Sequence, residues 1–477
     1  MKESEAAAST TSALTQPCHG RGRLIVLIVL YALLAAAERP SIQLPTSRSS
    51  SDRFLSAAAP PKTSITPVRS LIDLSVEHRQ KLTVTTVGLA LFNDVLLLLM
   101  LVPMLPSLLD GQPDEMRVAC LFSAKDVCQM LAAPFAGWLT LQAGASVSLG
   151  ASLLGLAAST VAFAEARGFR SLLLARALQG ATSAALMSGG LTLIAQTHAA
   201  TERGAAIARA HSGLGLGAAL GPVLGGLLFD AIGRRATFYA AAALVLLTAC
   251  AQLLLSLAAP APLVAAPSEA QRAEPPLCQL MTLLRTRDVA LAAAGTFAIY
   301  AAGGLFDATF GLHLSEAFGF GPAATSLAFS VEPLTYLAML LALAPITSAG
   351  HRFWTKGRLS AVGVALTGLS LPLLTLGGRM GTVLAATVVH GVGYACKDAV
   401  GHGLLADLVD KHHVGSYAMS FSLADVADSA GYILGPLLGL SLCRLLRSRT
   451  AGLLVVGLAC AMLASGLLSI RVPSEGG

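Results

Sequence analysis

From residue 83 onward the chain alternates apolar stretches of membrane length with short polar breaks, and no other feature constrains its fold as much. A helix rises about 1.5 Å per residue, so roughly 20 residues cross the ~30 Å hydrocarbon core of a bilayer. Stretches of that length fall near 83–108, 117–141, 146–165, 170–195, 205–229 and 236–259. A second set follows near 289–315, 323–346, 356–376, 380–407, 415–441 and 450–470. Only 12% of the residues are charged and 55% are hydrophobic. A water-soluble domain carries about 25% charged residues, so lipid is the solvent for most of this chain. The expectation is an all-α integral membrane protein with twelve transmembrane helices in two six-helix bundles, 81–262 and 289–472, joined by a central loop at 263–288.

The formal charge of +6 is scattered through short connections, with no aromatic-interleaved basic patch, so nucleic acid is not an expected partner. Nor does charge fix orientation. Arg203, Arg209, Lys356 and Lys411 fall on one side, Arg117, Arg167, Arg170 and Arg234 on the other, and the positive-inside rule barely discriminates. The eight cysteines form no CxxC pair or metal-ligand spacing, and most sit in apolar runs as packing residues. No metal or cofactor is expected.

Residues 1–80 read as an extension. Arg21 and Arg23 precede the apolar run 24–37, which ends in alanines: a basic region, a short apolar core and small residues make a targeting signal, with an extra membrane helix as the alternative. Residues 39–69, rich in Ser, Thr, Pro and Ala, read as a disordered linker.

The two sets of spans echo one another. "LGPVLGG" at 220–226 lies in the fifth span and "LGPLLGL" at 434–440 in the eleventh, the fifth of its own set. Matched Gly-Pro positions suggest a parallel duplication of the kind found in two-bundle secondary transporters, which bind substrate at the midplane between the halves. On this reading Gly221, Pro222, Gly225, Gly226, Gly435 and Pro436 are hinge points, where small residues let helices approach and proline bends them.

Charges interrupt the apolar runs. The first half contributes Asp94, in "LFNDVLLLLMLVPMLPSLL", with Lys125, Asp126 and Arg176; Pro103 and Pro106 would bend the end of that first run. The second half contributes Asp307, Glu332, Lys397, Asp398, Asp425 and Asp428. A charge at the bilayer centre costs at least about 2.5–3.5 kcal/mol, so such residues face a cavity and have a function. Seven acids against three bases make an interior suited to cations and protons. A carboxylate whose proton competes with a cation for one site is the physical core of a proton/cation exchanger. For Asp126, Glu332, Lys397 and Asp428, auxiliary ion pairing between helices is the favoured reading. Asp425 and Asp428, three apart, share a helix face and could share a proton. His313, His390 and His402 also fall within spans, as packing residues rather than relays. No GxSxG, HExxH or P-loop string occurs, and "GLGLGAALG" at 213–221 lies inside a span, so an enzyme is not expected.

Residues 83–472 resemble the vesicular amine transporters of the major facilitator superfamily, which include monoamine, acetylcholine and polyamine carriers. The resemblance is carried by "DVLLLLMLVPMLP", "LFSAKDVCQMLAAPFAGWL", "LLLARALQGATSA", "ERGAAIARAHSGLGLGAALGPVLGG" and "KDAVGHGLLADLVDKHHVGSYAMSFSLADVADSAGYILGP". It implies a major facilitator fold and a set of roles. Asp94 matches the first-helix aspartate that meets the substrate amine, and Lys125 and Asp425 match a lysine–aspartate charge pair. Asp307 stands for a glutamate that helps bind amine, and Asp398 matches an aspartate of proton coupling. Tyr336, Tyr432 and Phe122 match positions at the central cavity, and Arg176 matches an arginine near a gate.

The departures from that family are specific. Val95 replaces an asparagine, Tyr300 and His313 replace a cavity asparagine and tryptophan, and Met187 stands where the acetylcholine carrier has an aspartate. The loop after span 2, "GWLTLQAGA", lacks the superfamily's usual Asp and Arg. The cation-handling acids are kept and the ring-recognising positions are not. The resemblance therefore implies a monomeric antiporter that moves a small organic cation, amine or polyamine, against protons. Its membrane would be that of a vesicle, vacuole or other endomembrane, or else the plasma membrane. A broad multidrug/proton antiporter, and a non-transporting receptor or scaffold on the same fold, are the alternatives.

Overall fold

A computed structural model describes residues 75–101, 104, 115–257, 269–320, 322–347, 354–376 and 378–470. The signal at 24–37, the linker, Pro103 and Pro106, and part of the 263–288 loop lie outside the described residues.

All elements among the described residues are helices. The first half comprises α1 (Val76–Met100), α2 (Glu115–Ala143), α3 (Ala145–Glu165), α4 (Phe169–Thr197) and α5 (Ala200–Leu257). Two short helices follow, α6 (Glu269–Ala273) and α7 (Pro276–Arg285). The second half holds α8 (Arg287–Phe318), α9 (Pro322–Phe329), α10 (Val331–Leu343), α11 (Lys356–Leu376), α12 (Met380–His412), α13 (Tyr417–Leu445) and α14 (Arg449–Leu467).

Seven of these, α1, α3, α5, α8, α11, α13 and α14, are long and apolar enough to cross a membrane. The helices α2, α4 and α12, at 29, 29 and 33 residues, have the length as well and carry intramembrane charges. Two expected spans are continuous in α5, which is too long at 58 residues for one crossing; its helical geometry breaks at Gly233, where φ is +74°. Only glycine takes such a φ without steric cost, so the turn between the fifth and sixth spans is made there. The eighth span is divided at Ser330 into α9 and α10. Pro333 has no N–H to give the carbonyl four residues back, which accounts for the division. Large apolar side chains such as Leu174, Leu247, Leu437 and Leu438 are more than half exposed on these helices, as a lipid-facing surface requires.

Buried apolar side chains gather into a core from α1–α5, joined by Ala406 of α12 and Phe421 of α13, and another from α7–α9 and α11–α14; Tyr336, Leu340 and Leu343 of α10 pack with Ala208 of α5 in a third. The pairings repeat between halves: α1 packs along α5 as α8 packs along α13, and α2 and α3 pack on α4 as α10 and α11 pack on α12. The halves meet where α13 lies on α2 and α4, and where α5 lies on α10 and α12. These are equivalent contacts under the duplication read from the sequence.

The Gly-Pro segments also make a contact that the hinge expectation did not include. No residue of 221–226 or 435–436 leaves helical geometry, so these segments make no break in the helix. Their glycines are contact points. A Cβ on Gly435 would stand 2.1 Å from the Ala301 carbonyl oxygen, and one on Gly225 would stand 2.5 Å from that of Met100. The matched motif thus sets the close seams α1–α5 and α8–α13 by letting backbones touch.

Candidate functional site

Asp94, about three quarters of the way along α1, is buried. One of its oxygens accepts the Ser183 hydroxyl of α4, and the other lies 3.6 Å from the Lys125 ammonium of α2. Lys125 donates to Gln129 Oε1 (2.8 Å), one turn along α2, and Gln129 Nε2 donates to Asp425 Oδ1 of α13 (2.6 Å). A polar chain therefore runs Ser183–Asp94–Lys125–Gln129–Asp425 and crosses from the first half to the second. The expected direct pair Lys125–Asp425 is not formed. Lys125 takes the nearer carboxylate, Asp94, and Gln129 carries the connection onward. No sequence pattern singled out Gln129, because its role depends on how α2 is turned toward α13. The second oxygen of Asp425 is buried without a partner, and Asp428 accepts only the hydroxyl of its neighbour Ser429 (3.1 Å) among the described residues.

Arg176 is fully buried. Its guanidinium donates to the Leu121 carbonyl (3.3 Å) and Gln179 Oε1 (2.8 Å) and lies over the Phe122 ring, 5.3 Å from its centre. These partners all belong to α2 and α4, so Arg176 ties two helices of the first half and joins no charge pair across the halves. Phe122 is its platform, at a cation–π distance.

The second half holds a different arrangement. Asp398 of α12 accepts the hydroxyl of Tyr336 of α10 (2.9 Å) and, at 3.5 Å, that of Tyr300 of α8. Tyr432 of α13 donates to Asp307 of α8 (2.9 Å). Tyr300 meets Tyr394 at 5.2 Å and Tyr432 at 6.0 Å between ring centres, and Tyr336 meets Tyr394 at 6.2 Å. Four of the chain's seven tyrosines thus form one aromatic cluster edged by two carboxylates. Tyr336 and Tyr432 were expected here; Tyr394 was not, and Tyr300 had read only as a departure. The signal was available: tyrosine is scarce in this chain, and these four lie on helices that also carry acids.

The remaining intramembrane charges settle locally. Lys397 is buried and donates to Thr296 Oγ1 (2.9 Å), with no carboxylate within 4 Å among the described residues. The His390 ring lies 4.0 Å from Glu332 and bonds Ser370 at 2.8 Å. His313 packs edge-on to Phe318.

A second inter-half cluster went unnoticed in the sequence. Arg203, near the start of α5, donates to Asp407 (2.6 Å) and Asp410 (2.9 Å) of α12 and to Tyr417 Oη (2.9 Å) of α13. Lys356 of α11 completes it on Asp407 at 2.5 Å. Arg203 read as a loop charge, Asp407 drew no notice, and nothing in their spacing announced that α5 and α12 meet there. At this end the halves are tightly sealed: a Cβ on Gly137 of α2 would stand 2.2 Å from Ser422 Oγ of α13.

The Major Facilitator Superfamily model matches residues 84–306 and 292–477. The chain belongs to the Major Facilitator Superfamily. Like other members of that superfamily it is a multi-pass integral membrane protein. Among curated relatives it is similar to the synaptic vesicular amine transporter of Bos taurus, 28% identical over 68% of this chain and 61% of that protein. It is also similar to the vesicular acetylcholine transporter of Homo sapiens, 26% identical over 68% of this chain and 60% of that protein. The matches therefore span about three fifths of the length of those relatives. Among solved structures, the human organic anion transporter MFSD10 (TETRAN) superimposes with a TM-score of 0.66 at 19% identity, over 81% of this chain and 99% of that one. At that identity the likeness speaks for the superfamily fold alone.

Proposed function

We propose that this protein exchanges protons for an organic cation, an amine or polyamine, by alternating access across an endomembrane. The observation that supports this most is the tyrosine cluster Tyr300–Tyr336–Tyr394–Tyr432 edged by Asp307 and Asp398. An organic ammonium brought there finds aromatic faces and carboxylates together, the two groups that attract it when it leaves water. Similarity to vesicular amine and acetylcholine carriers points to the same substrate class and to a vesicle membrane.

The chemistry follows from competition. Asp94 is already satisfied by Lys125 and Ser183, so an arriving ammonium must displace the lysine. The displaced Lys125 then perturbs Gln129 and its bond to Asp425, the polar link between α2 and α13. A proton on Asp425 would weaken the same link from the other side. At Asp398 a proton turns an acceptor of tyrosine hydroxyls into a donor, so proton and substrate cation exclude each other. The Arg203–Asp407–Asp410 cluster is the gate of its end, which we assign to the cytoplasm. Opening there requires α5 and α12 to part.

The test is uptake of labelled amines and polyamines into proteoliposomes under an imposed pH gradient. Uptake that ignores the gradient, or that survives both Asp94→Asn and Asp398→Asn, would sink the mechanism. Flat competition among unrelated lipophilic cations would mark a broad multidrug/proton antiporter instead. Binding without flux would mark a receptor or scaffold.

A further inference from the structure

Between the tyrosine cluster and the Arg203 cluster lies a pair of histidines that the mechanism above does not use. His211 of α5 and His402 of α12 are 0% and 4% exposed, and their rings meet edge to face with centres 4.8 Å apart. Neither nitrogen of His402 has a hydrogen-bond partner among the described residues, and His211 has only the Asp398 backbone within reach. A buried imidazole without partners is uncommon, because each neutral ring carries one N–H donor and one acceptor that water would otherwise satisfy. Two buried rings so thinly satisfied, facing each other edge to face, mark a contact that was not built for permanent burial.

Its place in the fold is specific. The helices approach so closely beside the pair that a Cβ on Gly403 would stand 3.2 Å from the Cα of Gly204. Asp398 lies one helical turn from His402 toward the tyrosines, and Asp407 lies just over one turn beyond it, on Arg203. The groups around the rings can be named helix by helix. Helix α12 brings Asp398 and Lys397, the nearest charges. Helix α13 brings Phe421, 5.8 Å from the His402 ring. Helix α10 presents Tyr336 beside Gly215 of α5, and α11 brings Lys356, whose ammonium would lie 3.8 Å from a Cβ on Gly403. Asp398 offers its backbone to the His211 ring, and no side-chain acceptor meets the His402 nitrogens among the described residues.

We propose that His211 and His402 form a proton-binding latch on the α5–α12 seam: the Arg203 end closes only when both imidazoles are unprotonated, and a proton on either parts the helices. The proton comes from water on that side onto an imidazole lone pair as the seam wets, and returns to the same water when the seam closes. The latch therefore gates without carrying a proton across. The inference rests on the alternating-access reading of the fold but needs no particular substrate. The closed seam binds fewer protons than the open one, so acid favours opening. Over the range in which a wetted imidazole takes up its proton, about pH 7.5 to 5.5, each ring contributes roughly a tenfold change in the open-to-closed ratio.

Trp138 of α2 packs against the apolar core of the second half, so it reports whether the halves are together. The chain has only one other tryptophan, Trp354. The full-length protein carrying Trp354→Phe, in nanodiscs, is titrated from about pH 7.5 to 5.5 while Trp138 emission is followed. The latch predicts a red shift on acidification that disappears in His211→Leu/His402→Leu. The non-titrating polar pair His211→Gln/His402→Gln should abolish it too, and covers the case in which the leucine variant does not fold. An emission that does not move with pH, or a shift that persists in a folded double variant, overturns the latch. A pH-driven shift in a protein that moves no amine would leave the latch standing and overturn the proposed function.

Discussion

The two halves share a packing plan and differ in how they treat their acids. In the first half Asp94 is already held, by a hydroxyl on one oxygen and an ammonium 3.6 Å from the other. In the second half Asp307 and Asp398 meet tyrosine hydroxyls and no Lys or Arg ammonium or guanidinium within 4 Å among the described residues. The duplication thus produced one half whose charge is internally balanced and one whose charge is left to be balanced from outside. Under the proposed exchange, a substrate cation would be drawn first to the unbalanced half, and its effect on the balanced half would be to exchange for a lysine. The lysine is the part that can signal, because it is linked through Gln129 to Asp425 across the interface.

Lys125→Met is the largest expected break in this comparison. It leaves Asp94 buried without its base, and removing one partner of a buried ion pair costs about 3–5 kcal/mol. The melting temperature should fall sharply and uptake should be lost. Adding Asp94→Asn to Lys125→Met should recover much of the stability but not the transport. If the double variant melts as low as the single one, Lys125 acts by packing and the balance argument is wrong.

Asp398→Asn should behave in the opposite way. An asparagine oxygen still accepts the Tyr336 hydroxyl, and no base within 4 Å of Asp398 loses its partner among the described residues, so stability should change by less than about 1 kcal/mol. Uptake driven by a pH gradient should nonetheless fall on the order of a hundredfold, about 2.7 kcal/mol of lost coupling and binding. A parallel thermal melt and uptake assay separates the two effects. A strongly destabilised Asp398→Asn would mean that the second half is as internally balanced as the first.

How much of this was legible depended on whether the signal was carried along one helix or between helices. Hydropathy located the spans, because chain length against bilayer thickness is a one-dimensional constraint. The acids stood out because lipid makes each one expensive wherever it sits. The partners did not stand out. Lys125 faced two candidate carboxylates, and its choice of Asp94 depends on the rotation of α2, which an almost wholly apolar helix surface does not encode. His211 carried no signal in the sequence, and its place became apparent only beside His402 on another helix. The Gly-Pro motif was found as a repeat and read as a hinge, and its close backbone contact went unseen, since contact and bending call for the same small residues.

The tyrosines offer the finest discrimination. Tyr336 and Tyr300 both point a hydroxyl at the same oxygen of Asp398, at 2.9 Å and 3.5 Å. The first is a full hydrogen bond to a charged acceptor and the second sits at the limit of one, so their removal should differ though the chemistry deleted is identical. Tyr336→Phe should raise KM for amine about tenfold, equivalent to the roughly 1.5 kcal/mol of a bond to a charged group. Tyr300→Phe should raise it less than about threefold, because its ring stays against Tyr394 and Tyr432 and only a weak contact is lost. Tyr300→Leu, which removes the face as well, should exceed Tyr300→Phe if the aromatic cluster itself holds the ammonium. Equal effects of phenylalanine and leucine at position 300 would show that the hydroxyls alone matter, and the second half would then be a carboxylate site to which the ring faces contribute nothing.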